Sequence, residues 1–190
     1  MKRILTMLKT RRLIPFMALL MIAVLLPSCS SRKKEIRDNI RAMTSHFITL
    51  PENMLVLEDG RAVSERDTAS YRRQLIVWVS PSECSDCRIS HLIDLNPVRE
   101  ELSKHPSAVM KVIFSPQEED APSLIRKIMS ALPQGKIYVD SDCQFGVMND
   151  FIPEDNRYHS FLIDENNVPI LVGNPVASAG MMELFKKALE

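Results

Sequence analysis

The sequence predicts an α/β fold in which a central mixed β-sheet is flanked by helices. Two observations lead to this prediction. Within residues 71–190, short apolar runs rich in β-branched residues alternate with helical patterns, an order that indicates parallel strands joined by crossover helices. Later, two apolar runs are separated only by the polar segment 164–167 (DENN), which indicates a turn and an antiparallel hairpin.

The predicted elements follow one another in a clear order. The first strand is Leu75–Ser80 (LIVWVS), whose continuous apolar character is typical of a buried strand. A helical pattern begins at Cys84, and Pro97 restarts it with Asn96 as a plausible cap. The remaining elements are assigned on the same grounds: strands at 108–114, 136–139, 161–163 and 169–172, and helices at 120–132, 145–152 and 177–189.

The first 28 residues differ from the rest of the chain. Five basic residues and no acidic residue precede the apolar run Leu13–Leu26. A basic segment followed by an apolar segment of this length is typical of a secretory signal and is short for a transmembrane helix. Without residues 1–28 the chain has 19 basic and 24 acidic residues, a net charge of −5. Such a chain lacks the basic excess of nucleic-acid-binding proteins.

The apolar run ends in Leu26-Pro27-Ser28-Cys29. This segment resembles the lipobox of bacterial lipoproteins, with a branched apolar residue three positions before the cysteine and a small residue directly before it. The resemblance implies cleavage before Cys29, lipid attachment to Cys29, and a membrane-anchored protein of the bacterial cell envelope that faces the periplasm. Ser30 mildly favours the outer membrane, since it is not an inner-membrane retention aspartate. The alternative is an uncleaved signal anchor with a chance cysteine.

Residues 29–70 are predicted to connect the anchor to the main domain. A short amphipathic helix is expected over residues 33–47, followed by an extended segment and a turn at Asp59-Gly60, which indicates a small hairpin. Its apolar residues Ile36, Ile40, Met43 and Phe47 recur at three- and four-residue spacing, and we expect the helix to pack on the main domain. The predicted organisation is thus a signal peptide (1–28), a lipidated tether with this helical and extended segment (29–70), and one domain (71–190).

The motif that carries chemistry is Cys84-Ser85-Asp86-Cys87, at the junction of a strand and a helix. The amino terminus of a helix carries a partial positive charge that favours a thiolate. Two cysteines three residues apart can close a disulfide across one turn. In such a dithiol the exposed thiolate of the first cysteine attacks and the inner second thiol resolves the mixed disulfide. This exchange needs no cofactor.

The strand LIVWVS, the dithiol and the βαβ–ββα order together resemble the thioredoxin fold. The segment FLIDENNVPILVGNP is similar to the strand-turn-strand of membrane-anchored, TlpA-like thiol–disulfide oxidoreductases, and the chain looks most like the thioredoxin-like lipoproteins of Bacteroidetes. The resemblance covers roughly residues 70–190. It implies a thiol–disulfide oxidoreductase with Cys84 as nucleophile and Cys87 as resolving thiol, whose partners are protein thiols and disulfides or a redox partner protein.

The sequence departs from that family at three places. Glu83 stands where an aromatic residue is usual, and Tyr158 or His159 occupies the place of the family's cis-proline. Asp86 lies between the cysteines, where its charge opposes a thiolate. The helix terminus contributes about 0.3–1 kcal/mol, and one nearby charge is of similar size or larger. We therefore predict a reducing rather than a strongly oxidising couple.

Three alternatives remain open at this stage. Cys84, Cys87 and His159 could form a metal site, because thiolates with imidazole suit copper or zinc. The domain could instead be a non-catalytic thioredoxin-like binding module. A peroxidase is disfavoured, because Pro81 stands where peroxiredoxins need a threonine.

Two further residues have open roles. Cys143 is interpreted as a free, small hydrophobic residue, or else as a third redox partner or an intermolecular disulfide site. His91, four residues after Cys87, either tunes or ligates the site or is a solvated side chain.

Overall fold

A computed structural model describes residues 31–63, 71–131 and 133–190. The chain divides into two compact units, of which the second spans Ala42–Glu190. The predicted signal peptide and the predicted lipidation site Cys29 lie outside the described residues. Within the described ranges, no helix combines the length and the apolar character needed to cross a bilayer.

The predicted helix at residues 33–47 is helix α1, which covers residues 31–43 and ends earlier than expected. Met43 at its end is buried, but two other residues of the predicted apolar pattern are exposed, Ile40 by 37% and Phe47 by 69%. The chain turns directly after α1, so that Phe47 no longer follows the helical spacing. Ile48 is buried in its place, and its backbone N–H donates to the carbonyl of Asn167 at 2.8 Å.

Seven strands form one sheet in the order β2-β1-β5-β4-β3-β6-β7. They are β1 (Leu55–Glu58), β2 (Arg61–Val63), β3 (Arg73–Val79), β4 (Ala108–Phe114), β5 (Lys136–Val139), β6 (Ser160–Ile163) and β7 (Pro169–Val172). Strand β3 pairs in parallel with β4, and β4 pairs in parallel with β5. Strand β6 is antiparallel to both β3 and β7. The predicted central mixed sheet and thioredoxin-like order are confirmed.

The hairpin predicted around Asp59-Gly60 is formed by β1 and β2. Both turn residues have positive φ angles, 48° and 72°, which is the backbone conformation that a tight two-residue hairpin turn requires. Strand β1 also pairs antiparallel with β5. The sheet therefore includes residues upstream of the boundary predicted near Tyr71, because the hairpin covers the edge that β5 otherwise leaves open.

Helices cover both faces of the sheet. They are α2 (Ser85–Ser90), α3 (Asn96–Leu102), α4 (Ala121–Ala131), α5 (Gln144–Met148) and α6 (Ala179–Leu189), with short 3₁₀ turns at His91–Leu95, Glu118–Asp120, Asn156–Tyr158 and Pro175–Ala177. Buried residues of α3, α4 and α6 share one core cluster with one face of the sheet. Phe145 of α5 belongs to a second core cluster, which covers the opposite face of the sheet and includes Ile76 and Trp78 of β3.

The central strand β3 is buried on both faces, as its apolar run predicts. Leu75, Val77 and Val79 belong to the first core cluster, and Ile76 and Trp78 belong to the second. Successive side chains of a strand point to opposite faces, so an uninterrupted apolar run satisfies both layers. These core contacts fix the position of β3, and therefore of the residues that follow its C-terminal end.

Candidate active site

Cys84 and Cys87 form a disulfide at the point where β3 leads into α2. Their Cα atoms are 5.4 Å apart, within the normal range for a disulfide. Cys84 is the N-cap residue of α2, in an extended backbone conformation, and its Sγ accepts a hydrogen bond from the backbone N–H of Cys87 at 3.3 Å. The predicted dithiol is therefore close enough to cycle between an open and a closed form.

Both cysteines are exposed to solvent. The expectation that Cys87 is an inner thiol is wrong, because α2 has only six residues and none of them is buried. The two sulfurs differ instead in what surrounds them. Cys84, but not Cys87, lines a cleft of about 230 Å³ between the start of α2 and α4. An incoming group in this cleft therefore meets Cys84 first.

Asp86 projects from the dithiol turn toward α4. Its two carboxylate oxygens accept hydrogen bonds from Nζ of Lys127 at 2.7 and 2.6 Å. Both side chains are exposed and both line the cleft beside Cys84. The negative charge that the sequence places between the cysteines is thus partly balanced by a lysine 41 residues away in the chain.

Replacing Lys127 with methionine is expected to make the couple more reducing, because the Asp86 carboxylate then opposes a thiolate without compensation. An exposed ion pair contributes about 0.2–1 kcal/mol, which corresponds to a fall of about 5–20 mV for a two-electron couple. The shift is measured by equilibration with glutathione redox buffers, and it should shrink at high salt. Lys104→Met is the control, since Lys104 pairs with Glu101 on α3 and lines no part of the cleft. A rise in potential, or an equal fall in the control, contradicts this prediction.

Glu83 is the main site residue that the sequence did not identify. Its Oε1 accepts hydrogen bonds from the backbone N–H of Ser80 at 3.2 Å and contacts Nδ1 of His159 at 2.7 Å. Its Oε2 lies 3.0 Å from Nε of Arg88. Burial by itself raises the pKa of Glu83, but these hydrogen bonds and the charge of Arg88 outweigh it and hold the pKa below its ordinary value. Glu83 is therefore a carboxylate at neutral pH, directly before Cys84.

His159 has no exposed surface and lies beside the ring of Trp78, with ring centroids 4.5 Å apart. Nδ1 contacts Glu83, and Nε2 lies 3.0 Å from the carbonyl oxygen of Pro153. Tyr158 is also buried, in the core cluster on the α5 side of the sheet. Of the two residues at the place of the family's proline, His159 thus connects to the dithiol turn, through Glu83.

The three residues of the alternative metal site, Cys84, Cys87 and His159, are not brought together as ligands in this structure. Both ring nitrogens of His159 are already engaged, so neither is directed to the two sulfurs. In the part of the chain that the structure describes, no group of three or more histidine, cysteine, aspartate or glutamate residues is placed to hold a metal ion. Nδ1 of His159 is directed away from the sulfurs because it contacts Glu83, the residue directly before Cys84.

Cys143 and His91 take no part in the dithiol turn. Cys143 is a free cysteine whose Sγ donates a hydrogen bond to the carbonyl of Pro116 at 3.0 Å. Burial, together with the charges of Asp140 and Asp142, raises the pKa of the Cys143 thiol, so its nucleophilic thiolate is disfavoured. His91 is exposed, and its Nδ1 pairs with Oδ2 of Asp94 at 2.8 Å.

Comparisons with known proteins give fold-level likeness only. No protein-family profile and no curated protein sequence matches the chain. Among solved structures, it is similar to a thioredoxin-like protein in the oxidized form, with 17% identity, coverage of 75% of this chain and 93% of that chain, and a TM-score of 0.48. An uncharacterized thioredoxin-like protein from Porphyromonas gingivalis has 17% identity, 74% and 90% coverage and a TM-score of 0.46. The bacterioferritin comigratory protein of Xanthomonas campestris has 16% identity, 75% and 95% coverage and a TM-score of 0.45.

Proposed function

We propose that this protein is a thiol–disulfide oxidoreductase that uses Cys84 and Cys87. The observation that carries the proposal is the disulfide between two exposed cysteines, one of which opens onto a cleft. Exposure of both sulfurs allows a disulfide substrate to enter and a reducing thiol to reach the closed form. The core contacts of β3 hold this turn at the C-terminal end of the strand.

The proposed reaction proceeds in two exchanges. The Cys84 thiolate attacks one sulfur of a substrate disulfide, which forms a mixed disulfide and releases the other substrate sulfur as a thiolate. Cys87, as a thiolate, then attacks Sγ of Cys84, which closes the protein disulfide and releases the second substrate thiolate. The substrate gains two electrons and the protein loses two, and a separate thiol reductant restores the dithiol.

The surroundings of Cys84 support a reducing couple. The cleft that Cys84 lines also contains the acidic residues Glu83, Asp86 and Asp120, against one lysine, Lys127. An excess of negative charge opposes the thiolate and therefore destabilises the reduced form that carries it. We propose a reduction potential well below that of a strong oxidant, whose value is about −120 mV.

The proposed setting is the bacterial cell envelope. We propose that Cys29 carries a lipid anchor after removal of residues 1–28, that the domain faces the periplasm, and that the outer membrane holds it. This rests on the basic segment, the apolar run Leu13–Leu26 and the lipobox-like Leu26-Pro27-Ser28-Cys29. The partners proposed are protein thiols and disulfides, or a redox protein of the same compartment, and the reaction uses no cofactor.

An anaerobic redox titration of the full chain, read by thiol labelling, tests the proposed activity. We expect two thiols of the wild type, mapped to Cys84 and Cys87, to appear and disappear together with a single midpoint. Cys84→Ala should abolish the transition. Metal content measured on the same sample addresses the alternative. A dithiol that does not cycle contradicts the proposal and leaves a binding module, whereas tightly bound copper or zinc that depends on both cysteines favours a metal site.

A further inference from the structure

Glu83 joins three separate parts of the fold immediately before Cys84. Its carboxylate accepts a hydrogen bond from the backbone N–H of Ser80, which directly follows β3. It also contacts Nδ1 of His159, in the segment before β6, and Nε of Arg88, on α2. The backbone N–H of Arg88 in turn donates to the carbonyl of Cys84 at 3.1 Å. The Glu83 side chain is only 10% exposed, and it lines the same cleft as Cys84.

His159 is held as firmly as the carboxylate that it contacts. A carbonyl oxygen can only accept, so Nε2 of His159 donates to Pro153. Nδ1 of His159 and Oε1 of Glu83 are 2.7 Å apart, so one of these two atoms must also carry a proton, which it donates to the other. The backbone carbonyl of His159 accepts from the N–H of Trp78 at 2.8 Å, which ties the residue to β3. A buried pair of this kind is costly to break, since either partner is left without its hydrogen bond.

We propose that Glu83 and His159 are coupled positioning residues for Cys84, a role that rests on the proposed disulfide exchange. The buried imidazole holds the Glu83 carboxylate against the backbone of the turn, and the turn presents Cys84 to the cleft. Neither residue is required to touch the substrate. The pair therefore affects both the rate of attack by Cys84 and the relative stability of the dithiol and the disulfide.

Glu83 is the charged group and His159 is its buried partner, so replacing the one or the other gives the proposal a characteristic signature. Glu83→Gln removes a negative charge beside Cys84, so the thiolate and hence the dithiol should become more stable. His159→Gln leaves the Glu83 carboxylate without its buried partner, so the dithiol should become less stable. If Glu83 and His159 only supported the fold, replacing either residue would not shift the dithiol–disulfide equilibrium in opposite directions.

The test is the redox titration of the full chain with glutathione buffers, together with the rate of exchange with oxidised glutathione at neutral pH. We expect Glu83→Gln to shift the equilibrium about tenfold toward the dithiol, and His159→Gln about tenfold toward the disulfide, which is about 30 mV in each direction for this two-electron couple. Both single variants should slow exchange about tenfold. The double variant should be no slower than the slower single variant, because coupled residues are not additive.

The chain contains a matched control on the 3₁₀ turn His91–Leu95. His91 and Asp94 form a histidine–carboxylate contact of 2.8 Å, but both side chains are exposed, by 70% and 59%. His91→Gln and Asp94→Asn should leave the midpoint and the rate within about twofold of the wild type. If His159→Gln does not fold, Arg88→Gln replaces it, because the Arg88 side chain is 31% exposed and its loss also uncovers the Glu83 charge.

The outcomes separate this inference from the proposed function. If the wild type cycles but the Glu83 and His159 variants match the control variants, the positioning role is overturned and the oxidoreductase remains. Shifts of both variants in the same direction also overturn it, since they indicate general damage to the turn. If the wild type itself does not cycle, the proposed function and this inference both fail.

Discussion

Replacing Cys87 with alanine is expected to trap a mixed disulfide on Cys84. Cys84 lines the cleft and Cys87 does not, so the first attack on a substrate disulfide falls to Cys84. Their Cα separation of 5.4 Å allows Cys87 to resolve that intermediate in the wild type. Without Cys87 the intermediate persists, and turnover should fall to the level of Cys84→Ala. Mass spectrometry of the full chain after incubation with oxidised glutathione should show one adduct that a reductant removes.

Peptide mapping of the adduct provides the control for this experiment. The adduct should lie on Cys84, and Cys143→Ala should leave turnover unchanged, because the Cys143 thiol has a raised pKa and is hydrogen-bonded to Pro116. An adduct on Cys143 contradicts the prediction and assigns that cysteine a redox role. Wild-type turnover by Cys87→Ala contradicts it equally, since it means that Cys87 does not resolve the intermediate.

Replacing Asp140 with alanine is expected to cause a large loss of stability. Asp140 is only 3% exposed, and its carboxylate accepts hydrogen bonds from the hydroxyl of Ser115 and from the backbone N–H groups of Gln144 and Phe145. Removing it leaves the Ser115 hydroxyl after β4 and two backbone N–H groups at the start of α5 without their partner. Two of these donors, on Ser115 and Phe145, are buried. Each buried unpaired group costs about 1–3 kcal/mol, so we expect a loss of about 2–6 kcal/mol in the free energy of unfolding.

The effect of Asp140→Ala should also reach Trp78, whose Nε1 donates to the Ser115 hydroxyl at 3.0 Å. Trp78 is the only tryptophan of the chain, so its fluorescence follows the denaturant unfolding curve from within the affected network. Asp142→Ala is the matched control, because Asp142 is exposed and two residues away, and such surface changes stay within about 0.5 kcal/mol. A loss for Asp140→Ala that does not exceed that of the control contradicts the stabilising role of these three hydrogen bonds.

The strands and the dithiol were predictable because their signals are local. Leu75–Ser80 is apolar at every position but the last, and a strand buried on both faces has no other simple sequence pattern. The dithiol was recognised from its spacing and its place after that strand. The end of α1 was less predictable: Phe47 fits the helical spacing of Met43, yet the chain turns between them and exposes it.

The environment of Cys84 could not be predicted, because its partners are distant in the chain. Lys127 is 41 residues from Asp86, and His159 is 76 residues from Glu83. The sequence shows a carboxylate on either side of Cys84, and from Asp86 alone we inferred a charge opposed to the thiolate. In the folded protein, Lys127 pairs with Asp86, whereas His159 and Arg88 contact Glu83.

The sequence by itself determined the order of strands and helices and the position of the cysteine pair, because hydrophobic periodicity and motif spacing act over a few residues. Only the tertiary structure decided that β1 joins the sheet beside β5, that Cys87 is exposed, and that His159 contacts Glu83. These outcomes depend on which side chains meet across the packed layers. A contact of that kind is set by the geometry of the whole sheet and leaves no pattern in the neighbouring residues.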